Sequence, residues 1–466
     1  METDTSDGVA ARRQEHVARW GELLGDRLER TQWSRATLDT HRTGALRALL
    51  AEARRGSPWH RERLAGIDVH SIIADDLGAL PTMTKDDLMS HFDDIATDRR
   101  VTLEATEAHL RDLTTDRYFE GDLHVVASGG SSGQRGVSVY GWDAWVDVHL
   151  GLARHLIADL MARPDAGGTV MGLVTASNST HMTTAVATTF ANPMVEIRSF
   201  PVTLPVRTIV AGLNAAQPTS LTTYASMLGV LATEAAAGRL RIAPRRVYAT
   251  SEPLLPEVRE AAEAAFGEPV ANVWGTSEGG VMAVGCRQAT GMHVNEDLVI
   301  VEPVDEANRP VAVGERAAKV LVTNLFNPLQ PLIRYELTDE AVVLDAPCAC
   351  GSAHRRFADV QGRLDDVFTY GGTAIHPHVF RTVLGRHRAI AEYQVRQTPA
   401  GACILAAAAG AGDRVEVDLV TKELFEGLRQ AGIPDPDVAV EVVASLERHA
   451  STGKLRRFVP LSSSRR

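Results

Sequence analysis

Cysteine is scarce in this chain. Four cysteines among 466 residues are too few for a disulfide scaffold, so a reducing cytoplasm is the expected compartment. No apolar run is long enough to cross a bilayer, which argues against a membrane-spanning helix. The opening METDTSDGVAARRQEH is polar and acidic without an apolar h-region, so no secretory signal is expected. An excess of base is also missing: 59 acids stand against 48 bases, a formal charge of −11. That disfavours a general nucleic-acid binder, whose footprint is basic. An anionic ligand stays open, because local fields decide it. Internal repeats are absent, and the small-residue stretch AAAAGAG (406–412) is too short for a low-complexity domain.

What is present is an ordinary globular composition, 44% hydrophobic and 23% charged. The length exceeds one core, so two or three domains are expected. Apolar residues recur at helical spacing through Val17, Trp20, Leu23 and Leu24, then Leu46, Leu49 and Leu50. A helical N-terminal region is therefore expected over 9–115. LPTMTKDDL (80–88) reads as a loop entering a helix with Thr84 as N-cap. LHVVAS (123–128) and VSVY (137–140) read as strands around GGSSGQRG (129–136), and a helix is expected from Trp142 to Met161. Further on, TVMGLVTAS (169–177), RRVYAT (245–250) and VANVWG (270–275) read as strands. VRTIVAGLNAA (206–216) and EVREAAEAAFG (257–267) read as helices, the second stopped by Gly267. Strand, helix and strand in that order predict a right-handed crossover and a parallel sheet. The fold class is α/β: a large multi-sheet N-terminal domain (1–361) with parallel βαβ units, then a small mobile α+β domain (362–466). The hinge is expected at about 363–366, where QGRLDDVFTYGG changes texture.

SGGSSGQRG (128–136) is the first chemical signal. Glycines let backbone N–H groups converge on an anion and serines add donors, a nest suited to a triphosphate. A flexible hairpin is the bland alternative. No GK[ST] follows, so this is not a Walker loop. GGSSG also fits the nucleophile elbow of serine hydrolases, with Ser131 as nucleophile. That motif needs a helix directly after the turn, and here a strand is expected first.

Four further segments follow in order: VWGTSEGG (273–280), LIRYELTDEA (332–341), QGRLDDVFTYGGTAIHP (361–377) and STGKLRR (451–457). With the loop, and with LRALLAEARRGSPWHRERL (46–64), the series resembles the adenylate-forming, acyl-CoA synthetase-like superfamily, closest to phenylacetate–CoA ligase-type enzymes. The resemblance implies activation of a small acid by ATP and Mg²⁺ as its acyl-AMP. Ser128, Ser131, Ser132 and Gly133 would line the phosphate loop. Glu278 matches the glutamate that helps hold Mg²⁺. Ser251, Glu252 and Pro253 match the segment beside adenine, with Trp274 where tyrosine is usual, followed by Gly275, Thr276 and Ser277. Asp339 matches the aspartate on the ribose hydroxyls. Arg363 matches an arginine on the nucleotide, Asp365 the hinge, and Lys454 the lysine needed for adenylation. Singly, each has a bland reading: Lys454 in a solvated basic run, Glu278 capping a loop, Asp339 in an exposed turn. Together they favour adenylation chemistry, which asks a protein mainly for positioning and charge stabilisation.

Departures from the family pattern are Gln134 and Arg135 in the loop, Glu336 where a basic residue is usual, and Phe380 where glutamate is common. They bear most on the second half-reaction, which needs the C-terminal piece to rotate Gly371 and Gly372 toward a tunnel. The acceptor implied is CoA, a carrier-protein thiol or an amine. An aryl acid is implied by the resemblance; some relatives in specialised metabolism instead activate nitrite and diazotise an aromatic amine. A nucleotide-binding relative without catalysis is a further alternative. The acid pocket is expected from Asn178, Ser179, Thr180 and His181, from TTYASML (222–228) as a helix carrying Tyr224, and from Trp274. An α/β enzyme of this size is often a homodimer.

Cys286, His293, Cys348 and Cys350 form a Cys₃His set, the closed ligand set of structural Zn²⁺. The alternative is four ordinary buried small residues. Cys403 sits in an apolar strand-like run and reads as core.

Overall fold

A computed structural model describes residues 6–128, 136–176, 179–191, 195–252, 254, 256–288, 291–360, 368–375, 378–387, 389–408, 414–444, 446 and 458–461. The chain opens with helices α1 (Ser6–Arg30), α2 (Arg35–Gly56), α3 (Pro58–Arg63), α4 (Lys85–Ser90), α5 (Phe92–Ile95) and α6 (Leu103–Asp112). Strands β1 (His124–Ala127) and β2 (Val137–Tyr140) pair antiparallel as a hairpin, and α7 (Trp142–Ala162) follows.

Next come β3 (Thr169–Thr175), α8 (Met182–Thr189), β4 (Val195–Pro201), α9 (Val206–Ala216), β5 (Ser220–Tyr224) and α10 (Ala225–Ala236). They lead to β6 (Arg246–Thr250), α11 (Pro256–Phe266), β7 (Val270–Thr276), β8 (Gly280–Gly285) and β9 (Met292–Val294). β10 (Val299–Val304), β11 (Lys319–Asn324) and β12 (Tyr335–Leu337) form a separate antiparallel sheet. β13 (Val343–Leu344) and β14 (Arg356–Phe357) return to the main one.

Among the described residues the main sheet has nine strands in the order β13-β14-β9-β8-β7-β6-β5-β3-β4. Its β4-β3-β5-β6-β7 half is parallel, as the alternating strand and helix patterns predict. Strand alternation divides β6 between two cores. Val247 and Ala249 face the cluster of α9, α10 and α11, while Tyr248 faces α7 with Leu156 and Val273. Gly267 ends α11 in the left-handed region at φ +71°, where a side chain would be strained.

β15 (Phe368–Tyr370), β16 (Thr373–Ile375), α12 (His378–Leu384), β17 (Ile390–Gln397), β18 (Gly401–Ala408), α13 (Val417–Gln430), β19 (Asp437–Val443) and β20 (Phe458–Val459) complete the chain. They share a core of their own, built on Phe368, Phe380, Leu424 and Phe458.

Two expectations need correction. TTYASML is not one helix: Ser220–Tyr224 is strand β5 and the helix begins at Ala225. The β-branched and aromatic Thr222, Thr223 and Tyr224 favour a pleated, buried strand. Cys403 is not core. It is half-buried on β18, outward between inward Ala402 and Ile404, with its thiol 3.9 Å from Glu441. No described helix is long and apolar enough to cross a membrane.

Candidate functional site

The site begins with the segment before α4. Met83 bridges β12: its N–H donates to Arg334 O at 3.1 Å, and its carbonyl accepts from Glu336 N at 2.9 Å. Arg334, in the left-handed region at φ +51°, reaches across to donate to Leu80 O at 2.7 Å. Thr84 then starts α4 with a capping box closed by Asp87. This fixes Lys85 at the first helical position, where the helix dipole disfavours a cation. Its ammonium donates to Ser128 Oγ at 3.0 Å and lies 3.8 Å from Glu278 Oε1.

Ser128 closes the base of the glycine-rich loop. Its N–H donates to Gly136 O at 2.8 Å and its hydroxyl accepts from Gly136 N at 2.9 Å. A Cβ at Gly136 would stand 2.9 Å from Lys85 Cε and 3.1 Å from Glu278 Oε1, so a side chain there displaces one of them.

Glu278 lies in the tight turn from β7 to β8. Gly279 N donates to Thr276 Oγ1 at 2.9 Å, and the buried Tyr140 hydroxyl donates to Ser277 O at 2.6 Å. Asn324 donates to Glu278 O at 3.0 Å, and Tyr335 OH to its carboxylate at 3.4 Å. A buried carboxylate is thus held between a hydroxyl and an ammonium, facing the loop base. One cavity of about 1790 Å³ joins these groups to Ser251, Glu252, Trp274, Thr338 and Asp339. Ser251 turns the chain out of β6 at φ +66°, a strained conformation for serine.

The cysteine and histidine set is assembled by strand pairing. β9 lies between β8 and β14, which brings His293 beside Cys286 and the turn bearing Cys348 and Cys350. Gly351, at φ +79°, lets that turn close, with its N–H on Cys348 O at 3.1 Å. The four ligand atoms lie within 4.8 Å of one another. Cys286 and Cys348 sulfurs are 3.6 Å apart, and Cys350 Sγ is 3.3 Å from His293 Nε2. Tetrahedral zinc at about 2.3 Å from each sulfur spaces them by about 3.8 Å, so the set fits. His293 Nδ1 pairs with His354 O at 3.2 Å, which leaves Nε2 toward the sulfurs. Burial raises the Cys286 thiol to about 12, and desolvation lowers His293.

No protein-family model matches the chain. The phenylacetate-coenzyme A ligase of Thermus thermophilus is 28% identical over 138 residues, 29% of this chain. The match spans 31% of that relative's length. A crystal structure of 2-hydroxyisobutyryl-CoA ligase, with 2-HIB-AMP and CoA in the thioesterification state, superposes with a TM-score of 0.60. It is 20% identical and covers 92% of this chain and 91% of that one. The same ligase in its postadenylation state with 2-HIB-AMP gives 0.56, 20% identity and coverage of 93% and 91%. The chain has the fold of the adenylate-forming acyl-CoA ligases.

On this ligase fold the sequence motifs converge. Ser128, His181, Tyr224, Ser251, Glu252, Trp274, Gly275, Thr276, Ser277, Glu278 and Asp339 line the one cavity. Ser131, Ser132, Gly133, Asn178, Pro253, Arg363, Asp365 and Lys454 lie outside the described residues. The nucleophile-elbow alternative does not suit this hairpin: among the described residues the segment after the loop is strand β2, paired antiparallel with β1, and α7 begins only at Trp142. Lys85 is the residue the motif reading missed. Its signal was a lysine at a capped helix start, placed against the dipole. Glu336 pairs with Lys319 at 2.7 Å, so the reversed charge has a local partner.

Proposed function

We propose that this chain activates an organic carboxylic acid with ATP and transfers the acyl group to CoA or a carrier thiol. In the first step a carboxylate oxygen attacks the α-phosphorus and pyrophosphate leaves. In the second a thiol sulfur attacks the acyl carbon and AMP leaves. The observation that carries this reading is the meeting of Lys85, Ser128, Gly136 and Glu278 at the loop base.

The roles follow from charge and reach. Lys85 and the loop N–H groups hold the triphosphate. Glu278 would hold Mg²⁺, which when bound offsets phosphate charge. Ser251, Glu252, Pro253 and Trp274 flank adenine, and Asp339 accepts the ribose hydroxyls. Arg363 contacts the nucleotide, and Lys454 meets the oxygen that bridges acid and phosphorus. Residues 362–466 act as a lid turning at Asp365, with the Gly371–Gly372 turn offered to the thiol. Cys286, His293, Cys348 and Cys350 would hold structural Zn²⁺, which when bound cross-links β9 to the β13–β14 turn. The cavity's apolar lining suits an aryl or alkyl body.

The test is pyrophosphate release from ATP and Mg²⁺ with a panel of aryl acids, fatty acids and nitrite, with and without CoA. Release with one acid, lost in Lys454→Ala and Glu278→Gln, supports the reading. CoA consumption matching AMP formation separates a thiol ligase from a nitrite-activating enzyme. ATP binding without release for every acid overturns it in favour of a binding module.

A further inference from the structure

The cavity continues past the nucleotide groove. α7 supplies one wall with a single apolar stripe from Val148 through Leu152, Leu156 and Leu160 to Met161. At about 1.5 Å per residue this stripe runs about 20 Å. Its near end is at the chemistry: Val148 Cγ2 is 3.7 Å from the Cβ position of Gly280, two residues after Glu278. Its far end is the surface, where Met161 is 74% exposed. α1 faces the stripe with Trp20, Gly21 and Leu24, and α8 closes the side with Val186 and, just past its end, Phe190.

Charge is confined to the two ends. Lys85, Asp86, Glu252, Glu278, Glu336 and Asp339 line the nucleotide end, and Asp165, just past the C-terminal end of α7, is covered and paired with Arg246 at 2.8 Å. Between them the described lining carries no Asp, Glu, Lys or Arg. The histidines of the lining are His181, which precedes α8, and His149. His149 stacks on Phe190 at 4.7 Å and 5°, and burial lowers its pKa to about 4, so it is neutral near pH 7. The volume, about 1790 Å³, takes in the nucleotide groove and a wall of α10 and α11 (Gly229, Val230, Val258) as well as the length along α7, and exceeds the roughly 300–1,000 Å³ of ordinary small-molecule sites. A nucleotide takes the polar end, and phenylacetate or nitrite is shorter than the roughly 20 Å stripe along α7.

We propose that the acid carries an extended apolar body, an alkyl or alkyl-aryl chain lying along α7 with its end toward Met161; this rests on the adenylation reading above. Each methylene moved from water into the chamber stabilises the complex by about 0.8 kcal/mol, roughly fourfold. Specificity is then for length rather than for a particular ring.

The test is pyrophosphate release with straight-chain and ω-phenyl acids of increasing length, beside phenylacetate and nitrite. Binding of the matching acyl-sulfamoyl adenosines is measured by calorimetry. Expected is a rise in kcat/KM, and a fall in Kd, of about fourfold per methylene, levelling once the chain end passes Met161. Gly21→Phe adds a ring at the α1 wall of the cavity. Gly21 is exposed and no atom lies within 4 Å of its Cβ position, so the backbone accepts the side chain. The substitution should lower the long-to-short ratio of kcat/KM at least tenfold. Should the variant fold poorly, the wild-type series alone decides. Release with phenylacetate or nitrite and no gain along the series overturns the proposal while adenylation stands. Release with no acid, and no analogue bound, removes the adenylation reading and this proposal together.

Discussion

Lys85→Ala is the sharpest probe of the site. The ammonium contacts Ser128 at the loop base and lies 3.8 Å from Glu278, with only 19% of its side chain exposed. Losing one preorganised electrostatic contact to developing charge costs roughly 10²–10³ in kcat, about 2.7–4 kcal/mol. The effect on folding should be far smaller. A lysine in the first turn works against the helix dipole, so its removal returns about 0.3–1 kcal/mol. The loss of a cation beside buried Glu278 opposes that gain. Thermal unfolding should therefore move little while the rate collapses. Single-turnover pyrophosphate release, run beside a melting curve, separates the two. A rate within tenfold of wild type, or a rate loss matched by unfolding, refutes the role. Gly136→Ala acts on the same group from the other side. Its methyl would stand 2.9 Å from Lys85 Cε, and the rate should fall in the same direction.

Metal analysis of the purified chain should find one zinc per chain, and Cys348→Ser should abolish it. The variant should also lose more than the roughly 1 kcal/mol typical of a single substitution, read by urea unfolding. Stability should decline as pH falls from about 7 toward 4. Burial lowers His16 and His60 to about 4, so their neutral forms stabilise the fold above the unfolded value of about 6.5. That contribution is lost as pH falls through the folded values. Glu296, held at about 2 by Arg355, Arg42 and Arg35 against the cost of burial, loses its contribution at lower pH still, from about 4.3 downward. A urea midpoint unchanged between pH 7 and pH 5 contradicts the histidine assignment.

Periodicity located α1, α7 and the parallel β6–α11–β7 unit, because each buries one face against a neighbour and the pattern records that face. The same rule misread 222–224, where a buried strand and a buried helix have no periodic difference. The cysteine and histidine set was legible because its ligands are chemically distinctive, although β9–β14 pairing, invisible in sequence, brings them together. Lys85 was legible only as a lysine at a capped helix start. Its role depends on Met83 docking across β12, a contact between segments about 250 residues apart. The chamber along α7 was hidden because its lining residues read as an ordinary core stripe.

Glu336 tests how far a departure from a family pattern can be read as lost function. It stands in the cavity wall next to Tyr335, where a charge facing the nucleotide would matter. Yet its carboxylate is 2.7 Å from Lys319 Nζ, and Lys319 lies on the neighbouring strand β11. Both side chains are largely covered, at 26% and 15% exposure. The pair therefore neutralises itself and presents little field to the site. Glu336→Gln should then lower stability by at most about 1 kcal/mol and leave pyrophosphate release within about threefold. A double-mutant cycle with Lys319→Met should return a coupling of about 0.5–1 kcal/mol. A tenfold loss of release in Glu336→Gln, without loss of stability, would mean that the carboxylate acts on the nucleotide and that the pair with Lys319 is incidental.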